Sequence, residues 1–368
     1  MSGTSLDGVD YALCDISPGD LRLRKLWSVK FPLALRARLH EAARGEARSW
    51  AVAQLHHDLG RFYAARALAG IGRVRPQIVG LHGQTIFHSP NRKAPATFQI
   101  GEPAYLAEAL RVPVVSNFRA GDLAAGGQGA PLATVFHVRA FGQRGRHVCV
   151  NNLGGISNVT SIDWRRGREP QVRAFDTGPA NVLIDLAMRE LSGGRLHFDR
   201  GGRCAARGRV CDALLKRWLR HSFFLLKPPK STGRELFGES FFKPAFRQAR
   251  DAGLAEADVV ASFTAFTARS LAMNYRLHLP GPPDLVVLAG GGASNPVLRR
   301  MVLEELLRLN HQVEVRASAE LGWLPQSVEP AAFALLAWLR MNRRAGNLPI
   351  TTGASAAVLL GQVTEFAL

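Results

Sequence analysis

Three glycine-rich turns carry residues that could hold a phosphate. The first contains Ser2, Gly3, Thr4, Ser5, Leu6, Asp7, Gly8, Val9 and Asp10. Gly3 and Gly8 let the backbone turn sharply and come close to a ligand. Backbone N–H groups in such a turn form an anion-binding concavity, and Thr4 and Ser5 add hydroxyl donors. Asp7 and Asp10 would repel phosphate unless a cation stood between. That combination suits a Mg2+–nucleotide, because Mg2+ is usually held by one or two carboxylates, waters and phosphate oxygens. The plainer reading is a hairpin, since Asp-Gly is a strong turn pair between strand-like sequences. The second turn has the same make-up: strand, Gly154 and Gly155, small polar residues including Asn158, then strand. Alone it also reads as a hairpin. The third, Gly290, Gly291 and Gly292, follows an apolar strand and precedes Asn295 and Pro296. Asn as N-cap and Pro at the first helical position make this a close-approach platform at a helix N-terminus. One glycine run means little, but three after three strands form a pattern.

Asp176 ends a short apolar run and precedes Thr177, Gly178 and Pro179. An α/β protein places reactive side chains at such strand ends, so Asp176 is the natural general base, with a helix-capping Asp as the alternative. The glycine-dense stretch 117–131 carries Arg119, Asp122 and Gln128 and suits hydrogen bonding to a polyhydroxylated ligand. Residues 229–235 resemble a phosphate grip but lack the spacing of a Walker A loop. Lys230 and Arg234 could face an anion there or sit on a surface turn.

The elements that must position these residues alternate between β-type runs and helical periodicity, the mark of an α/β chain. Strands are expected at residues 77–81, 147–150, 173–175 and 284–289. Leu55, Leu59 and Phe62 share a helix face, with Gly70 as its stop. Leu298, Val302 and Leu306 line the helix that Asn295 caps. Pro179 would open another helix, ended by Gly193 and Gly194, and Ser327 would cap an Ala- and Leu-rich one. A basic loop at 142–146 marks the best domain boundary, and 368 residues suit two domains better than one.

Composition narrows the classes. The chain is 47% hydrophobic and 21% charged, as in soluble globular proteins. No apolar run approaches the ~18 residues of a membrane span, and no charged-then-apolar leader suggests secretion. Cys14, Cys149, Cys204 and Cys211 are scattered without zinc-site or disulfide-framework spacing, which fits a reducing cytoplasm. The net charge of +18 is spread along the chain. With no RNA-binding or zinc-finger pattern, it reads as a basic surface rather than a nucleic-acid site.

Together these pieces resemble the anhydro-N-acetylmuramic acid kinases of the actin/hexokinase/Hsp70-like ATPase superfamily. The matching segments are residues 1–10, 82–85, 99–102, 118–132, 153–160, 175–179, 198–208, 229–237 and 290–296, Glu329 in its alanine-rich helix, and residues 347–349 and 352–354. Each is short, but their number and order make the match specific. Two features depart from the family. Its members usually carry a strand ahead of the first loop, and Asn152 stands where an apolar residue is usual.

The resemblance implies an α/β, two-domain actin-like ATPase (ribonuclease H-like) fold with a central nucleotide cleft. Its N-terminal lobe would hold residues 1–140 with 345–368, and its C-terminal lobe residues 141–344. ATP would meet Gly3, Thr4, Ser5, Leu6, Asp7, Gly8, Val9 and Asp10 in the first loop and Gly154, Gly155 and Asn158 in the second. Gly290, Gly291, Gly292 and Asn295 would take its adenosine side, and Asp7 and Asp10 would hold Mg2+, directly or through water. Asp176 would be the general base that activates water, and Arg119, Asp122 and Glu329 would contact the sugar. The implied reaction opens 1,6-anhydro-N-acetylmuramic acid and phosphorylates O6, in cytoplasmic recycling of cell-wall amino sugar. Neither nucleic acid nor membrane would be a partner, and a homodimer is left open. The alternatives are a weakened ATP-binding homologue or another sugar kinase of the superfamily. A chaperone or filament protein of that superfamily would need long insertions that are not seen.

Overall fold

The computed structural model, which describes residues 1–3, 6–90 and 93–367, divides into two units: Met1–Ala140 with Gln326–Leu368, and Phe141–Pro325. In the first unit the residues after the opening loop form an antiparallel hairpin of β1 (Gly8–Ile16) and β2 (Leu21–Lys30). Gly8 is needed there, because a Cβ would stand 2.6 Å from the Val29 carbonyl oxygen. Then come α1 (Leu33–Ala43), α2 (Ser49–Ile71), β3 (Val79–Gly80), the hairpin β4 (Gln84–Ser89) with β5 (Ala96–Ile100), α3 (Ala104–Leu110), β6 (Val114–Ser116) and α4 (Phe118–Ala124). Leu55 and Leu59 of α2 are buried as their spacing predicts. The helix runs past Gly70, however, and stops at Gly72 (φ 71°). Gly70 serves packing instead, since a side chain there would run into the Trp27 indole.

The strands β1 and β3 do not pair with each other. An apolar cavity of about 330 Å³ touches both, lined by residues such as Leu13, Tyr63, Val79, Leu106 and Ala334. Beside it Met1 and Asp10 exchange two backbone hydrogen bonds of 2.8 Å each.

Helix α5 (Thr134–Phe141) leads into the second unit, which continues with β7 (His147–Leu153), β8 (Ile156–Asp163), β9 (Gln171–Pro179), α6 (Asn181–Leu191), α7 (Asp212–Trp218), α8 (Arg234–Phe237), α9 (Glu239–Asp251), α10 (Glu256–His278), β10 (Leu285–Ala289), α11 (Pro296–Leu307) and β11 (Glu314–Ala317). Its sheet runs β11-β10-β7-β8-β9. The strands β7, β8 and β9 form an antiparallel meander, whereas β10 and β11 run parallel to β7. This is the strand order of a ribonuclease H-like unit, as expected. All five residues of β10 are apolar and buried, which suits a central parallel strand. Helix α10 is buried over most of its surface and packs on β9, α6 and α11.

The chain then rejoins the first unit through α12 (Val328–Met341), α13 (Pro349–Thr352) and β12 (Gln362–Thr364), which pairs antiparallel with β6. This corrects the expected boundary. Residues 326–344 belong to the first unit rather than the second, because the apolar side of α12 packs on β1, β3 and β6.

Candidate active site

In the second unit the site is built at one end of the sheet. Cross-strand pairs align Ala289 with Asn152, Asn152 with Asn158, and Asn158 with Asp176. Residues directly opposite one another share a face, so Asn152, Asn158 and Asp176 form one row beside the turn at Gly154 and Gly155. Asn152 is half-exposed and lies against Gly290, where any side chain would collide with its Oδ1.

The second glycine turn is held from behind. The N–H groups of Ala180 and Val182 donate to Gly155 O (2.9 and 3.1 Å), and that of Asn181 to Gly154 O (3.0 Å). The Asn181 side-chain amide also donates to Leu153 O (2.9 Å) and Gly154 O (2.8 Å). The start of α6 thus takes up carbonyls that would repel an anion and leaves this turn its N–H groups to offer. On the buried side, Asn151, Ser157, Thr177, Asn274 and Tyr275 form a hydrogen-bonded network that fixes the strand ends.

The third turn follows β10 with Gly290 at φ 75° and a 3-10 turn over Gly291–Ser294. Asn295 is an N-cap as its sequence suggests, its Oδ1 accepting from the N–H groups of Val297 (3.0 Å) and Leu298 (3.1 Å). That oxygen is committed to the helix and is no ligand contact.

Asp176 is half-buried in β9. Burial lifts its pKa to about 6. The Thr232 N–H on Oδ2 (2.8 Å) and the charge of Lys230 oppose the rise, and Glu235 adds to it. It caps no helix: its own N–H donates to Lys230 O (3.1 Å). The Thr232 hydroxyl is buried without a partner among the described residues, the kind of orphan that a bound group would satisfy.

In the first unit, Gly3 O accepts from Gln84 Nε2 (3.0 Å), and Ser2 Oγ donates to Gly83 O (3.0 Å). Thr4 and Ser5 lie outside the described residues. Leu6 and Val9 turn their side chains into the core, so only their backbone is available to a ligand. Asp7 is exposed. Asp10 is half-exposed and accepts a hydrogen bond from the Ser28 hydroxyl. Arg119 donates through Nε and Nη2 to His82 Nε2 (3.2 and 2.9 Å) and through Nη1 to Gly129 O (2.6 Å). His82 Nδ1 donates to Gly83 O (2.8 Å), and burial holds its pKa well below the usual histidine range, so the ring is neutral and Nε2 can accept. Glu329 lies within electrostatic range of Arg119 and Asp10. The protein around Glu329 is dense and pushes its pKa up, yet its surface is open to solvent.

Asp122 departs from its expected role as a sugar contact. It is fully buried, and its two oxygens accept from Gly129 N–H, Asn347 Nδ2 and Thr352 Oγ1, each at 2.7 Å. It is a structural carboxylate.

The family model described as anhydro-N-acetylmuramic acid kinase matches residues 1–365. The chain belongs to the anhydro-N-acetylmuramic acid kinase family. It is 44% identical over 377 residues to the anhydro-N-acetylmuramic acid kinase of Gloeobacter violaceus, covering 99% of this chain and 97% of that protein. The corresponding protein of Acaryochloris marina is 39% identical over 374 residues, covering 99% and 98%. Among solved structures, a ROK family glucokinase from Streptomyces griseus in complex with glucose and AMPPNP is 16% identical, with a TM-score of 0.37 over 89% of this chain and 99% of that one. That likeness is too loose for comparing sites.

For a member of this kinase family, two further features bear on ligands. At Gly155 and Gly291, both exposed, nothing lies within 4 Å of where a Cβ would stand, so open space faces the backbone of both turns. Asp7 and Asp10 offer oxygen donors only, as Mg2+ requires. No group of three or more His, Cys, Asp and Glu that could hold a metal occurs among the described residues, so an ion here would complete its shell with water and phosphate oxygens. Both donor sets therefore fit. Sequence reading missed Asn181, Thr232 and His82. His82 and Thr232 lie inside segments 82–85 and 229–237, which the resemblance matched without giving either residue a role, and Asn181 follows Pro179, where a helix start was expected.

Proposed function

We propose that this chain is an ATP-dependent kinase that opens 1,6-anhydro-N-acetylmuramic acid with water and phosphorylates O6, giving N-acetylmuramic acid 6-phosphate. Asp176 carries the reading: a half-buried carboxylate with a pKa of about 6, in line with Asn158 and beside the glycine turn at Gly154 and Gly155. At neutral pH it is mostly ionised and can accept a proton, as a general base near its working pH should.

The chemistry asks for little covalent help from the protein. Water attacks the anomeric carbon and gives its proton to Asp176. The C1–O6 bond breaks, and O6 attacks the γ-phosphorus, whose bond to the β-phosphate oxygen breaks so that ADP leaves. Thr232 N–H holds Oδ2 and leaves Oδ1 for the water. The N–H groups of the second turn would face phosphate oxygens, and those around Gly291 would face the adenosine side. Phosphoryl transfer depends mainly on such positioning and charge neutralisation. Mg2+, held through Asp7 and Asp10, would supply positive charge to the phosphates. Arg119, fixed by neutral His82 and Gly129, and Glu329 would bind the sugar. The reaction would serve amino-sugar recycling in the cytoplasm. Among the described residues no helix is long and apolar enough to cross a membrane.

The test is a kinase assay with 1,6-anhydro-N-acetylmuramic acid, ATP and Mg2+, with Asp176→Asn alongside. Formation of the 6-phosphate by the native chain, and its loss in the variant, is the expected result. An inactive native chain would overturn the activity. Equal activity in both would remove Asp176 from its role alone.

A further inference from the structure

Residues 229–235 look in the sequence like a phosphate grip, but their lysine turns inward. Lys230 is buried. Its Nζ donates to the carbonyls of Phe223 and Phe224, both at 3.2 Å, and lies 4.7 Å from the Phe223 ring centre. His278 Nε2 is 3.2 Å from Nζ and 3.0 Å from Phe224 O, so it accepts from the ammonium in one tautomer and donates to the carbonyl in the other. An ammonium engaged this way is not offered to an outside anion.

A buried cation with neutral acceptors is costly to keep, so its contacts show what it secures. The ammonium ties residues 223–224 to 230. The same loop then holds Asp176 at two points: Lys230 O accepts the Asp176 N–H (3.1 Å), and the Thr232 N–H donates to Asp176 Oδ2 (2.8 Å). Phe175 adds a third tie, its ring meeting His278 edge-on at 5.9 Å.

We propose that Lys230 is a positioning residue for Asp176, its ammonium fixing the loop whose backbone clamps and aims the carboxylate. This rests on the reading of Asp176 as general base. The charged groups acting on Asp176 are Lys230, which lowers its pKa, and Glu235, which raises it. Lys230 is itself brought down by burial to about 8 and so carries its proton at neutral pH.

The experiment compares Lys230→Met with the native full-length chain in the kinase assay, in native and Asp176→Asn backgrounds. We expect kcat to fall about 10- to 100-fold, because small misplacements of a reacting group cost this much. The KM for ATP should stay within about twofold, since ground-state binding of the nucleotide is untouched. The acid limb of kcat/KM should move to higher pH, because the carboxylate loses a nearby positive charge. In the Asp176→Asn background the same change should cost less than about twofold, because residues that act as a unit do not add. A folded Lys230→Met variant with native kcat and an unmoved acid limb would overturn the proposal. So would an equal loss in both backgrounds. If Lys230→Met does not fold, Lys230→Gln, which keeps an N–H donor without the charge, is judged by the same criteria. Full activity in Asp176→Asn alone would overturn the base assignment, and the positioning role with it.

Discussion

At the scale of single residues, Asp176 trades stability for reactivity. Replacing it with Asn should lower kcat by about 10²–10⁴, the usual worth of a positioned base. In the native chain kcat/KM should fall as pH drops through about 6, where Asp176 takes up its proton. The stability effect has the opposite sense. Its folded pKa lies above the unfolded value of 3.8, so ionisation costs folding energy. The native state is favoured by this group below pH 4, loses that advantage as pH rises to about 6, and keeps the deficit above. Asp176→Asn should therefore be more stable than the native chain at pH 8, by about 1–3 kcal/mol, with the difference gone near pH 3. Urea unfolding of both at the two pH values checks this. The sequence showed Asp176 at a strand end, but its raised pKa comes from packing, and the bond that moderates the rise comes from Thr232, fifty-six residues away in the chain.

At the scale of elements, the glycine turns divide into glycines the fold needs and glycines that leave space. A Cβ on Gly292 would sit 2.7 Å from Leu153 Cβ, and one on Gly290 would face both a φ of 75° and Asn152. On Gly291 it would meet nothing. Gly292→Ala should thus cost about 1–3 kcal/mol, as overpacking does. Gly291→Ala should unfold like the native chain but raise the KM for ATP if a nucleotide approaches there. Thermal melts and ATP titrations separate the two. Asn181→Ala should likewise raise the KM for ATP, because the second turn loses two hydrogen bonds that hold its carbonyls back. The first-unit cavity offers an element-scale test of packing. Ala334→Leu faces about 330 Å³ of apolar space and should raise the melting temperature, as cavity filling commonly adds about 0.5–2 kcal/mol. Strands and helices at these sites were legible from periodicity and capping residues. What the glycines do was not, because that depends on neighbours from other elements, as the Trp27 indole over Gly70 illustrates.

At the scale of the molecule, Asp122 joins parts of the first unit that lie far apart in the chain. Its carboxylate binds Gly129 locally and Asn347 and Thr352 across more than two hundred residues. Asp122→Ala should destabilise the protein by about 3–5 kcal/mol, since it removes three bonds to a buried carboxylate and leaves their donors unpaired. If instead Asp122 touched the sugar, the variant would melt normally and lose sugar affinity. A thermal melt with a KM for the sugar decides between them.

The sequence by itself determined the α/β alternation, the three glycine turns after strands, the Asn295 cap with its helix face, and the family, because each is written in local order and spacing. Tertiary structure alone decided that α12 belongs with the first unit and that Asp122 is structural. It also decided that Lys230 points inward and that Asn152, Asn158 and Asp176 stand in one row. Those outcomes depend on which distant segments meet. Burial, pKa and the partner of a hydrogen bond are set by neighbours in space, and a residue's type and local spacing do not record them.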